Sequence, residues 1–205
     1  MPAGSSAAAF APPRVVRCDP MHVADAIRER RSIKRFTTAP VFREQIELLL
    51  QAAAQAPNHR LTEPWRFYVL GPEAREAYGR VLGARKAKKV DPAVAQATID
   101  AVAAEHRAIP AVVVVAIVQN ADPEMAEENY AAAMMGIENL SLLAVELGLG
   151  THIKTGAIMA DPAARGVVGA RDDERIIAVV NVGVPAEAPP AKPRGDAAGK
   201  TTWLP

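Results

Sequence analysis

The stretch "AVVVVAIV", residues 111–118, contains no polar side chain. A strand with one wet face would alternate apolar and polar residues, so a continuous apolar octamer rich in β-branched residues reads as a strand buried on both faces. It is too short to cross a bilayer as a helix. "IIAVVNVG", 176–183, reads as a second core strand, and "RFYVL", 66–70, as a shorter one. Between the first two lies "ENYAAAMMGIENLSLLAVELG", 128–148, apolar nearly all round and interrupted by Glu138, Asn139 and Glu146. Such a helix is covered on most sides. Ala131, Ala132, Ala133 and Gly136 are small enough to let another backbone approach it.

Working outward, the periodicity predicts helices at about 22–30, 43–56, 72–83 and 93–107. Strands and helices mix without a regular βαβ rhythm, which makes the fold class α+β. Nine of the 17 prolines fall in residues 1–20 or 185–205. The reading is therefore one compact domain over 21–185, with a flexible N-terminal arm, 1–20, and an extended C-terminal arm, 186–205. Length and the 50% hydrophobic content fit one domain with a sizeable core. A net charge of +1 argues against a general nucleic-acid or membrane-surface binder. The lone Cys18 excludes an intramolecular disulfide and, with no secretory pattern, favours the cytoplasm.

Against that neutral total, "RERRSIKRF", 28–36, holds five basic residues in nine. Beyond a helix end near Arg31 the side chains alternate, which puts Arg30, Ser32 and Lys34 on one side. A guanidinium fork, a hydroxyl and an ammonium together suit a terminal phosphate. On composition alone a solvated basic edge is the plainer reading. In "APNHRLTEPWRF", 56–67, two prolines stiffen a turn carrying Asn58 and His59. No second histidine or carboxylate stands at metal-ligand spacing, so no metal is expected. "LGLGTHIKTGAI", 147–158, offers Gly-x-Gly but not the third glycine of a dinucleotide loop, and it follows a helix instead of a strand. Its alternative is a helix cap at Gly148 followed by a loop or edge strand, where Thr155 and Gly156 bring main chain close to a flat ligand. The tail "PPAKPRG", 189–195, carries Lys192 and Arg194. No Ser–His–Asp order or paired carboxylates can be read, so no protein residue is assigned as catalytic, and any chemistry would belong to a cofactor.

"RRSIKRF", "APNHRLTEPWRFYVL", "LGLGTHIKTGAI" and "VVNVGVP" with its basic tail, taken in this order, resemble the nitroreductase family of FMN-dependent NAD(P)H oxidoreductases, especially its short members. The resemblance spans about residues 21–204. It implies a three-layer α+β sandwich with a central mixed sheet, in a homodimer with exchanged arms and two FMN molecules at the interface. By resemblance Arg30, Arg31, Ser32 and Lys34 hold phosphate, ribityl and pyrimidine. Asn58 and His59 come from the other subunit, and Ile153, Lys154, Thr155 and Gly156 line the ring. Lys192 and Arg194 fall where basic phosphate contacts often occur. The implied reaction is ping-pong hydride transfer from NADH or NADPH through FMN to a nitroaromatic, a quinone or a similar small molecule. Other flavin chemistry on the same scaffold (dehalogenation, ene reduction, flavin cleavage) or non-catalytic FMN binding are the alternatives. Two departures stand out: Glu63 before "PW", where glutamine is common, and "HIKTG" in the ring-facing loop, where a more acidic or aromatic group is often found. His152 and Lys154 point to an anionic substrate or NADPH.

Overall fold

The computed structural model describes residues 21–205; the N-terminal arm and Cys18 lie outside the described residues. The strand expected to be dry on both faces is so, and its alternation divides the molecule. In β2 (Ala111–Val118), Ala111, Val113, Val115 and Ile117 enter one core, while Val112, Val114 and Ala116 enter the other. β2 sits between β1 (Trp65–Leu70) and β4 (Glu174–Gly183), and β3 (Gly150–Lys154) closes the order β1-β2-β4-β3. The register between β2 and β4 slips by one residue at Val115/Ala116, so Ile177 and Ala178 both face the first core.

The first core is roofed by α2 (Arg43–Ala54) and α5 (Pro123–Glu146), with α1 (Val23–Glu29) beside α5. The second is covered by α3 (Pro72–Ala87) and α6 (Pro162–Val168), with α4 (Ala95–Ala108) packed on α3. Helices, sheet and helices make the three layers. The strand ladders among the described residues are all antiparallel; the parallel component of the sheet is a single bridge, Ser32 to Thr151. Among the described residues no helix is long and apolar enough to cross a membrane.

α3 runs four residues past the expected 83, to Ala87, and two further departures from what periodicity predicts carry an Asp-Pro start. α5 begins at Pro123, five residues before the expected 128, because Asp122 accepts the amides of Glu124 and Met125 and Pro123 takes the first turn. α6, which periodicity misses, is capped the same way by Asp161 and ends on left-handed Gly169. The "loop or edge strand" after Gly148 is the edge strand β3.

The small residues of α5 do what their size suggests. A Cβ on Gly136 would lie 2.7 Å from the Ala53 carbonyl oxygen, so α2 and α5 meet backbone to backbone there. Gly136→Ala gains about 1 kcal/mol of helix propensity and loses about 1–3 kcal/mol to overpacking. A net loss in urea unfolding is expected. Gly166→Ala in α6 is the matched contrast, because its Cβ meets nothing within 4 Å; it should gain roughly 0.5–1 kcal/mol.

Candidate functional site

The basic segment leaves α1 at Arg30 and runs extended because Ile33 is drawn into the core. Ile33 is buried, and its amide donates to the Thr151 carbonyl at 2.8 Å. Gly150 makes the space: a Cβ there would lie 2.4 Å from Ile33 Cγ1. Ser32 bridges Thr151, and Phe36 bridges Pro185 past the end of β4. "RRSIKRF" is thereby tied first to the start of β3 and then to residues 184–186 beyond β4.

Its cations are committed unequally. Arg28 pairs with Asp25 at 2.7 Å, and Arg35 lies 3.5 Å from Glu187. Arg31 donates to the carbonyls of Arg28 and Arg30. Arg30 Nε donates to Glu138 Oε1 at 3.0 Å, reaching across to α5. Lys34 is exposed and forms no ion pair among the described residues. The shared face expected for Arg30, Ser32 and Lys34 is therefore divided. Arg30 is turned to α5, while Lys34 sits in the field of the β3 bases.

On β3 the side chains alternate. Ile153 packs against the first core, and His152 and Lys154 occupy the opposite face. Burial first, then Lys154 and Lys34, hold the His152 imidazole below its ordinary value, so it is neutral at pH 7. Burial also lowers the Lys154 ammonium, with Glu105 of α4 pulling the other way. Asn181, opposite His152 in register, keeps a buried Oδ1 without a hydrogen bond among the described residues. Past β3, Thr155 and Gly156 are exposed. Gly156 has φ 124° and ψ −170°, and a Cβ on it would meet nothing within 4 Å. The backbone there presents an open, flat face that a side chain would fill.

The same field reaches His106 on α4, which is buried. It donates Nδ1–H to the Val102 carbonyl at 2.8 Å, and its Nε2 has no partner among the described residues. Burial, with Lys154 adding, depresses its pKa below the ordinary 6.5. The unfolded chain then takes up a proton that the native state refuses. Stability is complete above pH 6.5 and falls as the pH drops below that value. Urea midpoints should be lower at pH 5.5 than at pH 7.5, and His106→Gln should shrink the difference.

Asn58 and His59 belong to a separate corner. Arg60, Leu61 and Glu63 all have positive φ (63°, 49° and 42°), a strained run for non-glycine residues. Asn58 holds it together, its Oδ1 accepting the Glu63 amide at 2.7 Å and its Nδ2 donating to Thr62 Oγ1 at 3.1 Å. Thr62 in turn donates to Asn129 of α5 at 2.6 Å. Asn129 and Glu138 are nine residues apart on α5, roughly 13 Å of helical rise. Within one chain the structure thus keeps Asn58 and His59 away from Arg30. Lys192 and Arg194 are exposed, with no hydrogen bond or ion pair among the described residues. Sequence reasoning missed Thr62, Asn129 and the role of Glu138. Only Glu138 had a signal, as a carboxylate interrupting an apolar helix.

The described residues bring no three His, Cys, Asp or Glu together as a metal site. Residues 27–184 match the model of the nitroreductase family. The protein named "Putative NAD(P)H nitroreductase YfhC" of Bacillus subtilis (strain 168) is 35% identical over 170 residues, 83% of this chain and 88% of that protein. The crystal structure of a nitroreductase-like family protein from Bacillus cereus has a TM-score of 0.79 at 27% identity, covering 92% of this chain and 99% of that one. The NADPH:FMN oxidoreductase of Vibrio harveyi, solved with NAD+, shares the fold at a TM-score of 0.68 and 20% identity, over 88% of this chain and 76% of that chain. With the family model spanning most of the chain and a relative of this identity along nearly its full length, the chain belongs to the nitroreductase family.

Proposed function

We propose that this chain binds FMN non-covalently, about one per chain, and works as an NAD(P)H oxidoreductase that reduces a nitroaromatic, quinone or similar small acceptor. One arrangement carries the reading. A run of cations with a hydroxyl meets the edge of β3 where Ser32 bridges Thr151, and β3 itself leads to the open Thr155–Gly156 backbone. The donor set fits FMN: a fork and an ammonium for an anion, then main chain that a flat ring can approach. Arg30, Arg31 and Ser32 would hold the phosphate and ribityl, Lys34 the pyrimidine edge, and Thr155 and Gly156 the ring. FMN, when bound, supplies two-electron chemistry between a nicotinamide and the acceptor. The chain supplies placement, and the charges of Lys34 and Lys154 favour added negative charge beside them.

A homodimer completes the reading. Val23 and Ile27 of α1 are 70% and 57% exposed, and Met135 of the adjacent α5 is 42% exposed. Leu142 and Val145 continue the same side of α5, half-buried and outside both cores. An apolar band of this kind suits an obligate interface of more than roughly 2,000 Å². A second copy would bring its Asn58 and His59 to the ring, and residues 186–205, ending in exposed Trp203 and Leu204, would lie on the partner. There Lys192 and Arg194 would add charge near the phosphate.

The test is a titration of FMN into flavin-free protein, with sedimentation of the product and stopped-flow mixing with NADH and NADPH. One FMN per chain, a dimer and rapid bleaching of the flavin are expected. Preference for FAD, no flavin uptake or a loaded monomer would contradict the reading.

A further inference from the structure

β3 ends at Lys154, opposite Val179, while β4 runs back to Glu174, so the flank of β4 before Val179 has no strand beside it. The turn at residues 157–160 packs across this flank but leaves a cavity of about 530 Å³. Thr155 and Gly156 line its mouth, which makes it continuous with the site above. Tyr130, Met159, Ile176 and Ile177 give it an apolar body.

Four charged side chains line the cavity, and two are spent on the fold. Arg165 donates to the carbonyls of Glu174 and Arg171, at 2.9 and 2.8 Å. Glu174 accepts from the Tyr68 hydroxyl and the Arg171 amide. The uncommitted pair is Arg175 and Asp172. Arg175 lies over the Tyr130 ring, its Cζ 5.1 Å from the centroid. Neither side chain has a hydrogen bond or ion pair among the described residues. A guanidinium stacked on an aromatic face is fixed in direction and keeps its edge N–H groups free for an oxyanion. The volume suits a one- or two-ring molecule and not a whole dinucleotide.

We propose that Arg175 selects, for the acceptor side of the proposed reaction, planar aromatic molecules bearing a carboxylate, seated between Tyr130 and the Thr155–Gly156 backbone. The proposal rests on the flavin reading given above. Asp172, on the same wall, limits the preference by repulsion.

The experiment uses full-length, FMN-loaded protein with 4-nitrobenzoate and its uncharged counterpart nitrobenzene. Equilibrium dialysis gives Kd for each, and steady-state rates give KM. Arg175→Gln should weaken 4-nitrobenzoate by about tenfold in both constants and leave nitrobenzene within about twofold. Asp172→Asn should tighten 4-nitrobenzoate severalfold. Both positions are exposed, so folding is not at stake. Equal effects on the two compounds, no effect on either, or a change confined to KM for NADPH would overturn the proposal. If wild-type protein takes up FMN and is reduced by NAD(P)H, such a result counts against Arg175 alone. If it takes up no flavin, the functional reading fails and this one with it.

Discussion

Glu174→Ala should lower the thermal midpoint by about 6–12 °C, the largest stability loss expected at any single polar side chain here. The Glu174 side chain is 1% exposed, at the start of β4. Its carboxylate receives the Tyr68 hydroxyl from β1 across the sheet, the Arg171 amide at 3.2 Å and, at 3.4 Å, Arg171 Nε. The phenol is pushed up from its ordinary pKa by burial and by this hydrogen bond. Alanine removes the acceptor and strands two donors. Each unmet donor costs about 1–3 kcal/mol, so the sum is on the order of 3 kcal/mol. For a chain of this size each kcal/mol moves Tm by about 2–4 °C. Tyr68→Phe should cost less, because the Arg171 donors remain. A double-mutant cycle with Glu174→Gln should give a coupling above roughly 0.5 kcal/mol. Additivity of the two changes would mean that the pair is not coupled.

Arg30→Ala should weaken FMN by about 10- to 150-fold, the value of a lost charge-assisted contact of roughly 1.5–3 kcal/mol. Glu138 holds the guanidinium at 3.0 Å and orients it from α5. Arg30→Lys should therefore recover only part of the loss, since an ammonium lacks the fork. Lys34→Ala should do two things. It should weaken FMN, and it should also lower the midpoint potential of the bound flavin, because Lys34 is the cation of this segment with neither an ion pair nor a side-chain hydrogen bond among the described residues and so is able to offset added negative charge. Arg28→Ala, whose side chain is exposed and paired with Asp25, is the control and should change neither quantity. FMN titration of each variant followed by redox titration decides the matter. Equal small effects from all three would mean that the segment is only a charged surface.

Much of the fold was legible because burial writes directly into composition. The continuous apolarity of 111–118 marked a strand dry on both faces, and the small residues of α5 marked a close helix contact. The early start of α5 and the whole of α6 were also written, in Asp-Pro caps, but a search for apolar periodicity passes over a cap. "RRSIKRF", "LGLGTHIKTGAI" and "VVNVGVP" were linked in the sequence through a family resemblance that implied a common flavin site. Ile33 seated at Gly150 and Phe36 bridged to Pro185 are the contacts that make them neighbours.

Which charges remain available is a different kind of fact. By itself the sequence determined a local surplus of positive charge, three apolar strands and a helix apolar nearly all round. These are properties of neighbouring residues and of the spacing between them, and they survive whatever the rest of the chain does. Only the tertiary structure decided that Arg30 answers to Glu138, 108 positions away, that Lys34 stands unpaired among the described residues, and that Arg175 lies on Tyr130 beside a cavity. Pairing depends on distances of a few ångströms between side chains far apart in sequence. Those distances are set by the register of β3 on β4 and by the packing of α5 on the sheet, and no local pattern encodes either one.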